Sequence, residues 1–160
     1  MALPAVTYDS ELLYDRAVSD HWRDVFRFLL AWTNDWAAAE DLTQEAFLRL
    51  WQNRNRIDWS EPILPWLFLV GRRLATDRFR ALSRRVKGHA EPATLDESSR
   101  AEWLDVQAAL KMLSPVERTA VVLTLLEGIS TSDAANVLNM TPGAVRAAIS
   151  RARVKLEEAR

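Results

Sequence analysis

The sequence predicts an all-α protein of two small helical bundles joined by a flexible linker, and three observations predict it. Apolar residues recur at helical spacing along most of the chain, with no alternation that would mark a strand. Helix starts are written in cap chemistry, with Asp35 before Trp36, Ser114 before Pro115 and Thr141 before Pro142. A polar stretch, GHAEPATLDESS, carrying Gly88 and Pro92, divides the chain and reads as an interdomain linker. The expected organisation is a first domain over residues 8–86, a linker over 87–99 and a second domain over 100–160.

Composition narrows the function classes. With 160 residues, 49% of them apolar, the chain can fill one ordinary domain or two small ones. It has no cysteine, and His21, His89 and the carboxylates stand at no recognisable ligand spacing, so no disulfide, metal site or cofactor is expected. No catalytic constellation or phosphate-binding glycine loop is present. The N-terminus lacks a basic segment followed by an apolar run, and the longest apolar stretch, around residues 63–70, is far too short to span a bilayer. A soluble cytoplasmic protein without membrane insertion is expected.

Formal net charge is −1, yet it is unevenly spread. Residues 1–65 are acidic, and residues 72–87 carry Arg72, Arg73, Arg78, Arg80, Arg84, Arg85 and Lys87 against Asp77 alone. Residues 91–105 are acidic again, and the last helix is basic. If each basic zone touches a phosphate backbone, the protein meets nucleic acid at two separated places.

The first helix is expected over residues 10–32, with Trp22, Val25, Phe26, Leu29 and Leu30 as its apolar stripe. Thr33, Asn34 and Asp35 break it and cap a second helix over residues 36–53. There, Ala39, Leu42, Ala46 and Leu50 form a core stripe. Asp41, Gln44 and Leu48 share another face, with Glu45 and Trp51 at its margins. Acid, amide and large apolar side chain on one face suit docking onto a partner protein; the plainer alternative is that Leu48 and Trp51 pack on a third helix.

A loop with two prolines, NRIDWSEPILP, leads to a third helix over residues 66–85. Leu67, Val70 and Leu74 can face the first two helices, leaving Arg73, Asp77, Arg80 and Arg84 along another side. Trp59 and Trp66 precede this basic helix. Aromatic rings beside arginines are what a single strand of nucleic acid needs, since bases stack while arginines hold the backbone; core tryptophans beside a solvated arginine face are the plainer alternative.

After the linker, residues 100–113 read as a helix carrying Trp103, Val106 and Leu110. Ser114, Pro115 and Glu117 make a capping box that opens a further helix to Glu127, and Gly128 ends it. The remainder, GISTSDAANVLNMTPGAVRAAISRAR, is a helix-turn-helix pattern. Ser130 with Asp133, and Thr141 with Pro142, mark the two starts. Ala135 allows close approach, Asn139 tolerates a left-handed turn, and Val145 points into the angle between helices. At 100° per residue, Val145, Ala148, Ile149, Ala152 and Leu156 lie inward. Gly143, Ala147, Ser150 and Arg151 lie outward, flanked by Arg146 and Arg153. In such a motif the second helix enters the major groove.

Residues 40–53, EDLTQEAFLRLWQN, residues 65–80, PWLFLVGRRLATDRFR, and the C-terminal LEGIS and TPGAVRAAISRAR segments together resemble the bacterial RNA polymerase sigma factors. The likeness is to the extracytoplasmic-function (ECF) group of the sigma-70 family, which keeps only regions 2 and 4. It covers about residues 10–85 and 100–157, in the family's order.

The resemblance implies an ECF-type sigma factor that binds RNA polymerase core and directs promoter-specific initiation, with no enzymatic chemistry of its own. Asp41, Gln44, Glu45 and Leu48 would dock on the clamp helices of the largest subunit, and the second domain would meet the flap region. The loop from Arg56 through Trp59 to Trp66, then Arg72, Arg73, Asp77 and Arg80, would capture a flipped base of the minus-ten element and hold the melted strand. Thr141, Pro142, Gly143, Arg146, Ala147, Ser150, Arg151 and Arg153 would bind the minus-thirty-five element as duplex. An anti-sigma partner covering both domains is common in the group, and the apolar excess of the second helix and the seven tryptophans permit one.

The sequence departs from the family pattern at Arg73, where Asn is usual, at Gly71, where Ala is usual, and at Ala144, Ala147 and Ala148, which lack polar groups common in the recognition helix. The alternative readings are a sigma-like interaction protein with weak promoter activity and a dimeric helix-turn-helix repressor. Nothing in the sequence reads as a long dimer helix or a ligand pocket.

Overall fold

The computed structural model of the chain describes residues 9–82 and 97–160. The expected linker residues 87–96 lie outside these, as do Arg84, Arg85 and the side chains of Trp103 and Val106.

Helix α1 (Asp9–Thr33) ends where Asn34 takes a left-handed conformation, φ 52°. The Asp35 carboxylate then accepts the Ala38 N–H at 3.0 Å and starts α2 (Trp36–Asn53) at the expected residue. Helix α3 (Leu64–Leu82) begins ahead of the expected Trp66, because Pro65 fits a first helical turn, where the backbone N–H has no partner to lose. The three helices close around Phe28, Phe47 and Phe68, all fully buried, with Phe28 and Phe68 ring centroids 5.0 Å apart and Trp22 stacked on Phe47 at 5.2 Å.

Two faces differ from expectation. The inward side of α3 is Leu67, Phe68, Gly71 and Ala75, while Val70 and Leu74 are half-buried at its margin. Gly71 explains the rotation: a Cβ there would lie 3.3 Å from Leu29 Cδ2, so its absence brings α3 close onto α1. On α1 the burial extends to Phe28 and Ala31, beyond the expected stripe, because α1 is covered on more than one side.

The second domain comprises α4 (Glu97–Leu110), α5 (Pro115–Val121), a π-helical segment (Val122–Leu126), α6 (Thr131–Leu138) and α7 (Pro142–Glu158). Helix α4 starts before the expected Arg100 and stops before Leu113. The Ser114 and Glu117 capping box forms with both reciprocal bonds. The expected uninterrupted helix to Glu127 is instead widened at its end, where the Glu127 N–H reaches back five residues to the Val122 carbonyl at 3.0 Å. Gly128, at φ 66°, terminates it. Ser130 accepts the Asp133 N–H, Asn139 turns left-handed at φ 54°, and Val145, Ala148 and Ala152 are buried beneath α6 and α5.

The two domains pack against each other. Helix α5 and the π segment lie on α1, and α6 lies on α3, so one buried cluster runs from Val25 and Leu67 to Ala134, Leu138 and Val145. The Arg118 guanidinium, itself buried, donates to the Ala31 carbonyl, and Gln107 Nε2 donates to Asn34 Oδ1 at 3.2 Å. No described helix is long and apolar enough to cross a membrane.

Candidate nucleic-acid interface

The face of α2 opposite its core stripe is open. Asp41 and Gln44 are exposed, Leu48 is 46% exposed, and Glu45 is half-buried beside Arg49, whose Nε stands 3.1 Å away. Behind them Leu42, Ala46 and Leu50 are packed solid, so this outward leucine has no role in the folded core. Asp41 also lies 3.4 Å from Arg78 of α3, which ties the acidic face to the basic helix next to it. Arg78 belonged to the basic run in the sequence, but its pairing across two helices left no local signal.

On the neighbouring side, Arg56, Arg73, Asp77 and Arg80 are exposed. Arg72 is half-buried, its guanidinium 5.9 Å from the Trp32 ring centroid, so part of its charge is used on the fold itself. Trp59 and Trp66 are also half-buried and pack against the core. The Trp59 indole N–H donates to the Arg54 carbonyl at 2.9 Å, while the Arg54 guanidinium sits 3.7 Å above the Trp51 ring. The loop between α2 and α3 is thereby pinned at both ends of this small network. Each tryptophan keeps a partly open surface but is not a free stacking platform. Arg54 is a residue the sequence did not single out; its role follows from the loop's return path.

The third group lies on α7 of the second domain. Thr141, Pro142, Gly143, Arg146, Ala147, Ser150, Arg151 and Arg153 are all exposed along one side of α7. Thr141 accepts the Ala144 N–H at 3.1 Å, fixing the start of α7, and a Cβ at Gly143 would stand 4.0 Å from the Arg146 guanidinium. With Val145, Ala148 and Ala152 buried, the outward face has the small profile that lets a helix settle into a major groove. Arg151 is shared: its Nε stands 3.5 Å from Glu117 Oε1, and Lys155 Nζ holds the same carboxylate at 2.8 Å. The Lys155 hydrogen bond, aided by the Ser114 N–H and Arg151, keeps the Glu117 carboxyl below the usual range against the opposing effect of burial.

Two open surfaces in the first domain and one helix-turn-helix in the second match two family models, sigma-70 region 2 over residues 17–85 and sigma-70 region 4 over residues 103–156. The chain belongs to the sigma-70 family, in its ECF group. It is similar to the ECF RNA polymerase sigma factor SigL of Mycobacterium tuberculosis, 34% identical over 91% of this chain and 88% of that one. It is also similar to the probable RNA polymerase sigma factor RfaY of Xanthomonas campestris, at 32% identity over 94% of this chain, which spans only 41% of that protein's length. Among solved structures, that of the sigma factor RpoE bound to the anti-sigma factor NepR, from Bartonella quintana, matches with a TM-score of 0.72 and 25% identity over 91% of this chain and 94% of that one. This sigma factor is therefore a promoter-directing subunit, and its two domains belong to separate regions of the family.

Proposed function

We propose that this sigma factor docks on RNA polymerase core through Asp41, Gln44, Glu45 and Leu48 and divides promoter recognition between its domains. The observation that carries the reading is the outward face of α2, where two exposed polar groups and a half-exposed leucine stand opposite a core stripe that is packed solid. The clamp helices of the largest subunit are its partner, and the second domain meets the flap region. Arg56, Trp59, Trp66, Arg72, Arg73, Asp77 and Arg80 take the minus-ten strand. The exposed side of α7 takes the minus-thirty-five duplex, resting on Arg146, Ser150, Arg151 and Arg153 because Ala144 and Ala147 offer no hydrogen bond to a base edge. The protein acts in the cytoplasm, supplies no chemistry of its own and uses no cofactor. An anti-sigma protein is its natural inhibitor, as the pairing of the similar RpoE with NepR supports.

Run-off transcription tests this reading, with core polymerase and a pool of promoter fragments. Wild-type protein should give defined transcripts, and Asp41→Ala with Gln44→Ala should remove most of them while leaving the melting temperature unchanged. Full activity in the double variant would remove α2 from the docking role.

A further inference from the structure

The closed packing of the two domains is held in part by an arrangement that water disfavours. The Glu127 side chain, at the end of the π segment, is only 3% exposed, whereas its neighbours Leu125 and Leu126 are about half exposed. Glu127 Oε1 faces Arg27 Nε of α1 at 3.1 Å, but neither atom has a well-aligned hydrogen bond. Arg27 is divided between two carboxylates, since its Nη2 also donates to Asp24 Oδ1 at 2.8 Å. Asp24 in turn bears on Glu127, and His21 Nδ1 stands 3.6 Å from Asp24 Oδ2. One guanidinium thus faces two carboxylates in a partly desolvated seam between domains, which leaves a surplus negative charge there.

Opening matters for the promoter reading on which this inference rests. Sites centred at minus ten and minus thirty-five are about 25 base pairs apart, roughly 85 Å at about 3.4 Å per pair. A compact chain of this length measures roughly 40 Å across. The closed arrangement cannot reach both.

We propose that Asp24, Arg27 and Glu127 form a proton-dependent latch between the two domains, which favours the closed form while Glu127 carries a proton and is released before the protein engages both promoter sites. The latch takes up a proton when it closes. Burial first, then the Asp24 carboxylate, push the Glu127 carboxyl up from the ordinary glutamate value to about 7, while Arg27 opposes the rise. A group raised in the closed form stabilises that form fully below the open-form value and loses this contribution as pH climbs through the raised one. The charged groups bearing on Glu127 are those of α1, Asp24 and Arg27. Arg118 and Glu117 of α5 are committed elsewhere, to the Ala31 carbonyl and to Lys155.

The test is fluorescence energy transfer in the free, full-length chain between dyes on Gln52→Cys and Glu158→Cys. Both positions are exposed, and the sequence has no other cysteine. Between pH 6 and pH 8 the closed-to-open ratio should fall about tenfold. Glu127→Gln keeps the shape without the charge and should stay closed with no pH dependence. Asp24→Asn should move the midpoint to lower pH. A wild-type ratio that is flat over this range overturns the latch, as does a Glu127→Gln chain of native helicity that titrates like wild type. Because no polymerase or promoter is present, failure here leaves the run-off result standing, and failure of run-off leaves the titration readable.

Discussion

Two glutamates in the second domain, Glu117 and Glu127, show how environment decides what one residue type does. Glu117 is held as a carboxylate by Lys155, the Ser114 N–H and Arg151, so it stabilises the fold at neutral pH. Its lowered value means that this contribution is present above the usual glutamate range and is lost as pH falls through the folded-state value. Replacing Glu117 with Ala removes half a capping box and a charge-assisted hydrogen bond, and should cost about 2–4 kcal/mol in urea unfolding at pH 7. Glu117→Gln should flatten the acid limb of the stability profile. Glu127 has the opposite sign, because burial and then the neighbouring Asp24 carboxylate raise its value. The difference was only half legible in sequence. Ser114 and Glu117 are three residues apart, and their capping box could be read directly. The partners Arg27 and Asp24 lie about a hundred positions from Glu127, so no local pattern connects them.

At the level of elements, most of what the sequence could show was written at helix ends. Asp35, Ser114, Ser130, Thr141 and Asn139 each act within three residues of themselves, and each does what its chemistry predicts. The exposed sides of α2 and α7 were legible for the same reason, because helical period alone separates Asp41 and Gln44 from Leu42 and Ala46. Two features escaped. The inward side of α3 is rotated by the close approach at Gly71, which depends on Leu29 of another helix. The π segment packs against α1, and its five residues, VLTLL, carry no breaker that would announce it. Its stop is another matter. Gly128 has φ 66° with open space around the Cβ position, so Gly128→Ala should cost about 1–2 kcal/mol through the backbone alone. Thermal melting of the full chain measures this, and a loss well above that range would mean that Gly128 makes a contact the fold does not show.

For the whole molecule, the charge map of the sequence translates into distinct surfaces: an acidic and amide face on α2, a basic α3 beside it and the open side of α7 in the second domain. No sequence pattern announces that the domains close on each other through Arg118, Gln107 and the Arg27–Glu127 pair. Interdomain contacts of this kind depend on tertiary placement, and the flexible-linker expectation had no means of anticipating them. The division of promoter recognition between two domains is the claim on which everything else depends, and footprinting of the polymerase complex at a promoter found by run-off tests it most directly. Core with the wild-type chain should protect two patches about two and a half turns of duplex apart and make the downstream one reactive to single-strand probes. Arg146→Ala with Arg153→Ala should erase the upstream patch and leave downstream melting, while Arg73→Ala with Arg80→Ala should do the reverse. A single continuous patch, or variants that weaken both sites equally, would contradict the division.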